Sequence, residues 1–115
     1  MPLKKILPMI LVFFSSTVLA DGQYIVLNAK VTKVVNTSGN GASFMVVTAG
    51  GTGPCTTTTI QNNIYFPKSA AGTDKVFDRA YSTALTALVS GSKVNIYNYV
   101  DGACDKAAAI EIMAD

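Results

Sequence analysis

The chain has 115 residues, a formal net charge of +2 and no histidine. Its first part is typical of an export signal rather than of a folded domain. Lys4 and Lys5 precede a mostly apolar stretch, and this pattern predicts a secretory signal peptide over residues 1–20. A membrane anchor is the alternative, but the apolar run has only about 14 residues, whereas a span needs roughly 20.

Removal of this signal would leave residues 21–115, which is enough chain for one domain with one modest core. Seven basic and seven acidic residues remain in that segment, so it is electrically neutral. A general nucleic-acid binder needs surplus positive charge to displace counterions, and the composition therefore argues against that class.

Cys55 and Cys104 are the two cysteines of the chain. An even count in an exported protein predicts one disulfide bond. A metal-binding or redox-active pair is the alternative. The wide spacing of the two residues and the absence of histidine argue against it.

The first half of the exported segment is predicted to form strands. Residues 23–35 alternate in polarity, with Ile25, Leu27, Ala29 and Val31 on one side. Because this run is long for one strand, we expect a bend or a bulge in it. A turn over residues 36–41 leads to a second strand over 42–49, which is apolar on both faces and therefore central, and the two strands should form an antiparallel hairpin.

A third strand is predicted over residues 56–66, where four threonines in a row favour extended backbone before Pro67. A helix then follows over residues 74–90. Thr73 or Asp74 supplies its N-cap, and Gly91 stands where a left-handed residue ends a helix. The side expected to face the core has apolar residues at helical spacing: Phe77, Ala80, Tyr81, Ala84, Leu85 and Leu88.

Two more strands complete the prediction. In residues 93–100, the inward side is expected to carry Val94, Ile96 and Val100, and the other side Asn95, Tyr97 and Tyr99. A loop over 101–105 follows. The last strand covers 107–113, with Ile110 and Ile112 inward and Glu111 outward.

The element order is therefore three strands, one helix and two strands, in a mainly β chain. This is the order of the OB fold, a five-stranded Greek-key barrel whose helix lies between strands three and four. An open antiparallel sheet with a helix packed on it is the competing architecture. The barrel is favoured because closure removes exposed sheet edges.

This layout, in an exported chain with one disulfide, resembles the B subunits of bacterial A–B toxins. That resemblance implies an OB-fold ring of five subunits that binds cell-surface glycans. The segment 79–96, together with Cys104 and the closing Ile110-Glu111-Ile112, is also similar to small exported bacterial proteins of unassigned function. Likeness at the level of fold is weak evidence for an activity.

Enzymatic chemistry is not indicated, because the chain has no histidine and both cysteines are expected to be bonded to each other. We therefore expect neither catalysis nor a cofactor. Asp101 and Asp105 could contribute to a calcium site, but calcium takes about six to eight oxygens, and turn-forming aspartates fit the pattern better.

Tyr97 and Tyr99, with Asn95 beside them, could form a stacking platform for a sugar or a peptide. Simple packing against neighbours is the alternative. In OB folds, ligands favour one barrel face and nearby loops, which here would follow strands one and four. The full candidate ligand-binding set is Asn36, Asn40, Asn95, Tyr97, Tyr99 and Asp101.

Two functions of different classes follow from these observations. The first is a secreted or periplasmic binding module that recognises a glycan or a protein and that forms a homo-oligomer. The second is a monomeric periplasmic structural or inhibitor protein that acts through a protein surface. The mature chain is expected to have no membrane span and no nucleic-acid partner.

Overall fold

The computed structural model describes residues 22–36, 39, 42–56 and 62–114. Within them the chain forms five strands: β1 (Gln23–Val35), β2 (Ser43–Ala49), β3 (Asn62–Pro67), β4 (Lys93–Asn98) and β5 (Ala109–Ile112). Two helices lie between β3 and β4, a short α1 (Lys68–Ala71) and a long α2 (Asp74–Ser90). The predicted signal peptide, residues 1–20, lies outside the described residues.

The five strands form one antiparallel sheet in the order β3-β2-β1-β4-β5. The centre of this sheet is β1, which pairs with two neighbours. Its first half pairs with β4, from Gln23 opposite Asn98 to Lys30 opposite Lys93, and its second half pairs with β2. The predicted hairpin of the first two strands is confirmed.

The predicted irregularity of β1 is also confirmed. Its register shifts between Tyr24 and Val26, between Val26 and Ala29, and again after Val31, and Asn28 has a left-handed φ of 59°. Such bulges place neighbouring residues on the same face. As a result Ile25 and Val26 are both buried, and the simple alternation predicted for this strand is wrong at Leu27, which is only half-buried.

The β3 edge of the sheet is hydrogen-bonded to the segment that leads into β5, the strand at the opposite edge. The backbone N–H of Tyr65 donates to the carbonyl of Cys104 at 2.9 Å, and the N–H of Ala107 donates to the carbonyl of Tyr65 at 3.1 Å. These bonds join β3 to the segment that precedes β5. The chain therefore has the predicted mainly β, OB-fold-like architecture, with the long helix between strands three and four.

The long helix α2 has the predicted bounds and caps. Thr73 accepts a hydrogen bond from the N–H of Val76 through its side chain, and Gly91 ends the helix in the left-handed region with φ 73°. Its buried residues are the small ones, Ala80, Ala84 and Ala87. The prediction that Leu85 and Leu88 face the core is wrong, since their side chains are 38% and 36% exposed.

An aromatic cluster fills the core between α2 and the sheet. The rings of Phe44 and Phe66 stack at 4.7 Å, and Phe77 and Tyr81 from α2 meet Phe44 edge to face at 5.4 and 5.1 Å. Edge-to-face and offset-stacked contacts of this kind are the favoured geometries of aromatic pairs. The cluster anchors the helix beside β2 and β3.

Two strand predictions need correction, and part of a third lies outside the described residues. The third strand is observed over Asn62–Pro67, and the predicted residues 57–61 are not among those that the structure describes. The fourth strand ends at Asn98, because this buried side chain turns the backbone, so that Val100 is 51% exposed instead of inward. The last strand covers only Ala109–Ile112, and Ile112 at its end is 37% exposed.

Cys55 and Cys104 form the predicted disulfide bond, with their Cα atoms 5.7 Å apart. The segment that carries Cys55 runs beside β1, where Leu27 and Thr52 exchange two backbone hydrogen bonds of 2.8 and 2.9 Å. The bond therefore connects the chain that follows β2 to the loop between β4 and β5. Among the described residues, no helix is both long and apolar enough to cross a bilayer.

Candidate functional site

Three tyrosines form a continuous row on the outer side of β1 and β4. Tyr24 and Tyr97 stand opposite each other in the strand pairing, with their ring centroids 4.9 Å apart at 80°. The ring of Tyr99, just beyond the end of β4, lies 4.9 Å from that of Tyr97 at 66°. Tyr24 and Tyr99 are 40% and 65% exposed. We call Tyr24, Tyr97 and Tyr99 the tyrosine row.

The middle ring of the row is closely packed from one side. Gly22 lies against Tyr97, so that a Cβ atom at this glycine would stand 2.7 Å from the phenolic oxygen and 3.1 Å from the carbonyl oxygen of Asn98. A larger residue would have to push the Tyr97 ring aside. The position of Tyr97 thus depends on the absence of a side chain at residue 22.

A network of polar side chains contacts the Tyr24 end of the tyrosine row. Glu111 on β5 accepts a hydrogen bond from the Tyr24 hydroxyl at 2.9 Å through Oε2 and from Asn95 Nδ2 at 3.0 Å through Oε1. Asn95 Oδ1 in turn accepts from the backbone N–H of Asn28 at 3.0 Å. The bond to the Glu111 carboxylate, and then its negative charge, raise the pKa of Tyr24 above 10.0. The network spans three strands and fixes both the first tyrosine and the carboxylate.

A second network shapes the loop that carries Tyr99. The side chain of Asn98 is fully buried, and its Oδ1 accepts from the N–H groups of Val100 and Asp101 at 2.7 and 3.1 Å. Its Nδ2 donates to Asp101 Oδ1 at 3.1 Å and to the carbonyl of Ala103 at 2.9 Å. Both N–H donors and both acceptor positions of this buried amide are therefore used within one turn.

Asp101 completes this turn rather than presenting a free carboxylate. Its Oδ1 accepts from the N–H of Ala103 at 2.9 Å, and its Oδ2 pairs with Lys106 Nζ at 3.2 Å. The hydrogen bond from Ala103, followed by that from Lys106, lowers the pKa of Asp101 below 3.8. The turn-forming interpretation of this aspartate agrees with these contacts.

The structure brings together only part of the predicted site. Asn95, Tyr97 and Tyr99 share one surface, as expected from the sequence. Asn36 is exposed at the far end of β1, beyond the half that pairs with β2, whereas Tyr24 pairs at the other end. Asn40 lies outside the described residues.

Tyr24 and Glu111 also belong to this candidate site, although the sequence does not group them with Asn95, Tyr97 and Tyr99. Tyr24 alternates with the residues predicted to face inward in the first strand, and the sequence predicts that Glu111 points outward. The missing information is the pairing of β1, β4 and β5, which places these side chains beside Tyr97 and Asn95. Among residues 22–36, 39, 42–56 and 62–114, no group of three or more histidine, cysteine or acidic side chains is arranged to hold a metal ion.

Comparison with known proteins gives one finding at the level of family. A family of unknown function (DUF5992) matches residues 4–114. No curated protein and no solved structure matches the chain. The expected resemblance to toxin B subunits therefore receives no support beyond the order of the elements.

Proposed function

We propose that this chain, which belongs to the family of unknown function DUF5992, is an exported, non-enzymatic binding protein that recognises a glycan through the tyrosine row. The observation that carries the proposal is the succession of three exposed or half-exposed rings in edge-to-face contact on one surface, with an amide and a carboxylate beside them. Tyrosine gives large amphipathic contact area at a low entropic cost, because its side chain has few rotatable bonds.

The rigidity of the surface supports a binding role. Tyr24 is held by Glu111, Tyr97 by the two neighbouring rings, and Tyr99 by the turn that Asn98 and Asp101 organise. A surface that is ordered before the ligand arrives loses less conformational entropy on binding. Apolar ring faces with amide and carboxylate groups beside them match the mixed apolar and hydroxyl-bearing faces of a sugar.

A glycan array with the purified protein tests this function, followed by calorimetric titration of the glycans that bind. Replacement of either Tyr24 or Tyr99 by alanine is expected to weaken binding at least tenfold, since each removes a ring from the row. Tyr65→Ala is the matched control, because Tyr65 on β3 is 38% exposed, close to the 40% of Tyr24, but lies outside the row. Equal losses in all three variants, or no glycan bound by the unaltered protein, would refute the proposal.

Export is supported by the positive start and apolar stretch of residues 1–20 and by the disulfide bond, which is typical of oxidising compartments. Mass spectrometry of the protein recovered from bacterial fractions tests this part. A mature chain that begins at Asp21 and is found in the periplasm or medium is expected. Protein that retains residues 1–20 and stays inside the cell would contradict it.

A protein partner is a second candidate, favoured by apolar side chains on the outer side of α2. Val89 is 87% exposed, and Leu85 and Leu88 beside it are each more than a third exposed. Contiguous exposed apolar groups often mark contact surfaces. A photo-crosslinking residue at position 89 would capture a specific partner in cells if this function is correct, and a crosslinker at Asn63 on β3 serves as the control.

A further inference from the structure

An open groove lies between α2 and the beginning of β5, directly beside the tyrosine row. Its volume is about 330 Å³, near the lower end of the range for small-molecule sites. Tyr99 is part of its wall, so the groove and the row share one side chain. The lining is formed by Val76, Arg79, Ala80, Thr83, Tyr99, Ala108, Ala109 and Ile110.

Arg79 gives this groove its charge. Among the residues that line the groove, it is the only one of the Asp, Glu, Lys and Arg types. Lys68 pairs with Asp74, and Lys106 pairs with Asp101. The Arg79 guanidinium, in contrast, has no acidic partner in the described part of the chain. An exposed guanidinium beside a partly apolar wall can bind a carboxylate in a bidentate manner.

The remaining lining suits a ring rather than a bare ion. Ala108 and Ala109 contribute small side chains to the lining, and Ile110 and Val76 add apolar surface. Thr83 donates its hydroxyl to the carbonyl of Arg79 at 2.8 Å, which leaves its oxygen able to accept. The Tyr99 hydroxyl can donate or accept. The lining of the groove thus includes one cationic side chain, two hydroxyl-bearing side chains and several apolar side chains.

We propose that the groove is a subsite for an acidic sugar, in which Arg79 binds the carboxylate and the ring lies across Ala108 and Ala109 against Tyr99. The inference rests on the proposed glycan-binding function and adds the chemical class of the ligand. Because Tyr99 belongs to both surfaces, a chain of sugars can extend from the groove onto Tyr97 and Tyr24.

The test uses two probes that differ in one group, methyl β-D-glucuronide with its carboxylate and methyl β-D-glucoside without it. Each is titrated into ¹⁵N-labelled protein while the amide NMR signals are followed. The glucuronide is expected to shift the signals of residues 79–83 and 108–110 and to bind there at least tenfold more tightly than the glucoside. Arg79→Gln should weaken this binding at least tenfold.

Lys75→Gln is the matched control, since it removes the same charge from α2 at an exposed position outside the groove. It should change the affinity less than twofold. Equal affinity for the two probes at the groove, equal effects of the two substitutions, or the same shifts with sodium acetate would each overturn the proposal. Binding of both probes at Tyr24 and Tyr97 but not at the groove would refute the acidic subsite alone. If neither probe shifted any signal, the acidic subsite would fail, whereas the glycan-binding function is decided separately by the glycan array.

Discussion

Tyr24 on the first strand donates its hydroxyl to Glu111 on the last strand, at 2.9 Å, across the β4 strand that separates them in the sheet. This contact joins residues from the two ends of the domain. It also fixes the orientation of a ring in the proposed binding surface, so its loss should affect titration and ligand binding together.

Glu111→Gln is expected to lower the pKa of Tyr24 toward its ordinary value, because the charged acceptor that favours the protonated phenol is removed. The Tyr24 hydroxyl binds its proton more tightly in the folded protein than in the unfolded chain. The associated stability is therefore present below pH 10 and is lost as the pH rises through the folded pKa. NMR titration of ¹³C-labelled tyrosine rings measures the shift.

Asp105→Asn provides the control for this titration. Asp105 is exposed, and the substitution removes one negative charge elsewhere on the surface. It should leave the Tyr24 titration unchanged. A Tyr24 pKa that responded equally to both substitutions would show that the general field of the protein, and not the Glu111 contact, sets its value.

Replacement of Asn98 by alanine should be one of the more damaging single changes in the chain. It removes a buried amide that makes four hydrogen bonds, and it leaves the backbone groups of the turn without these partners. We expect a loss of about 2–4 kcal/mol in the free energy of unfolding in urea. Asn63→Ala, at an exposed position on β3, should change it by less than about 0.5 kcal/mol.

The disulfide bond is expected to contribute strongly to stability because it closes a long loop. With 49 residues of sequence separation, the chain-entropy model gives about 4 kcal/mol. The Cys55→Ala, Cys104→Ala double variant should therefore unfold at a much lower urea concentration. Dithiothreitol should lower the midpoint of the unaltered protein but not that of the variant. Identical midpoints for the two proteins would contradict the expectation.

The buried side of α2 can be tested by opposite changes in residue size. Ala84 is fully buried where the helix approaches the sheet, so Ala84→Leu should cost about 1–3 kcal/mol through overpacking. Leu88→Ala removes a larger but partly exposed side chain and should cost about 1 kcal/mol or less. If Leu88→Ala lowered the stability in thermal unfolding more than Ala84→Leu did, the result would support the helix orientation predicted from the sequence instead.

The sequence predicted the elements whose signals are local. The caps at Thr73 and Gly91 and the alternation of residues 23–35 depend on neighbouring residues alone. They predict the bounds of α2 and β1, although the bulges of β1 move Leu27 out of the inward side. The inward side of α2 was less predictable. Its apolar stripe is wide enough for two orientations, and the close approach to the sheet selects small alanines over Leu85 and Leu88.

The candidate site depended on information that a single sequence does not carry. Asn95, Tyr97 and Tyr99 could be grouped because they alternate within one segment. Tyr24 and Glu111 join them only through strand pairing between distant parts of the chain. The role of Asn98 cannot be predicted from the sequence, because a polar residue in an inward strand position does not indicate the turn that it stabilises.

The double pairing of β1 has a consequence for when the domain can form. Gln23 pairs with Asn98 and Lys30 with Lys93, so half of the central strand stays without its neighbour until β4 has been synthesised. Contacts between such distant segments slow folding, because a large loop must close before they can form. A chain that has not yet produced β4 and β5 would therefore leave half of β1 unpaired, and the sheet could be completed only after both strands had been synthesised.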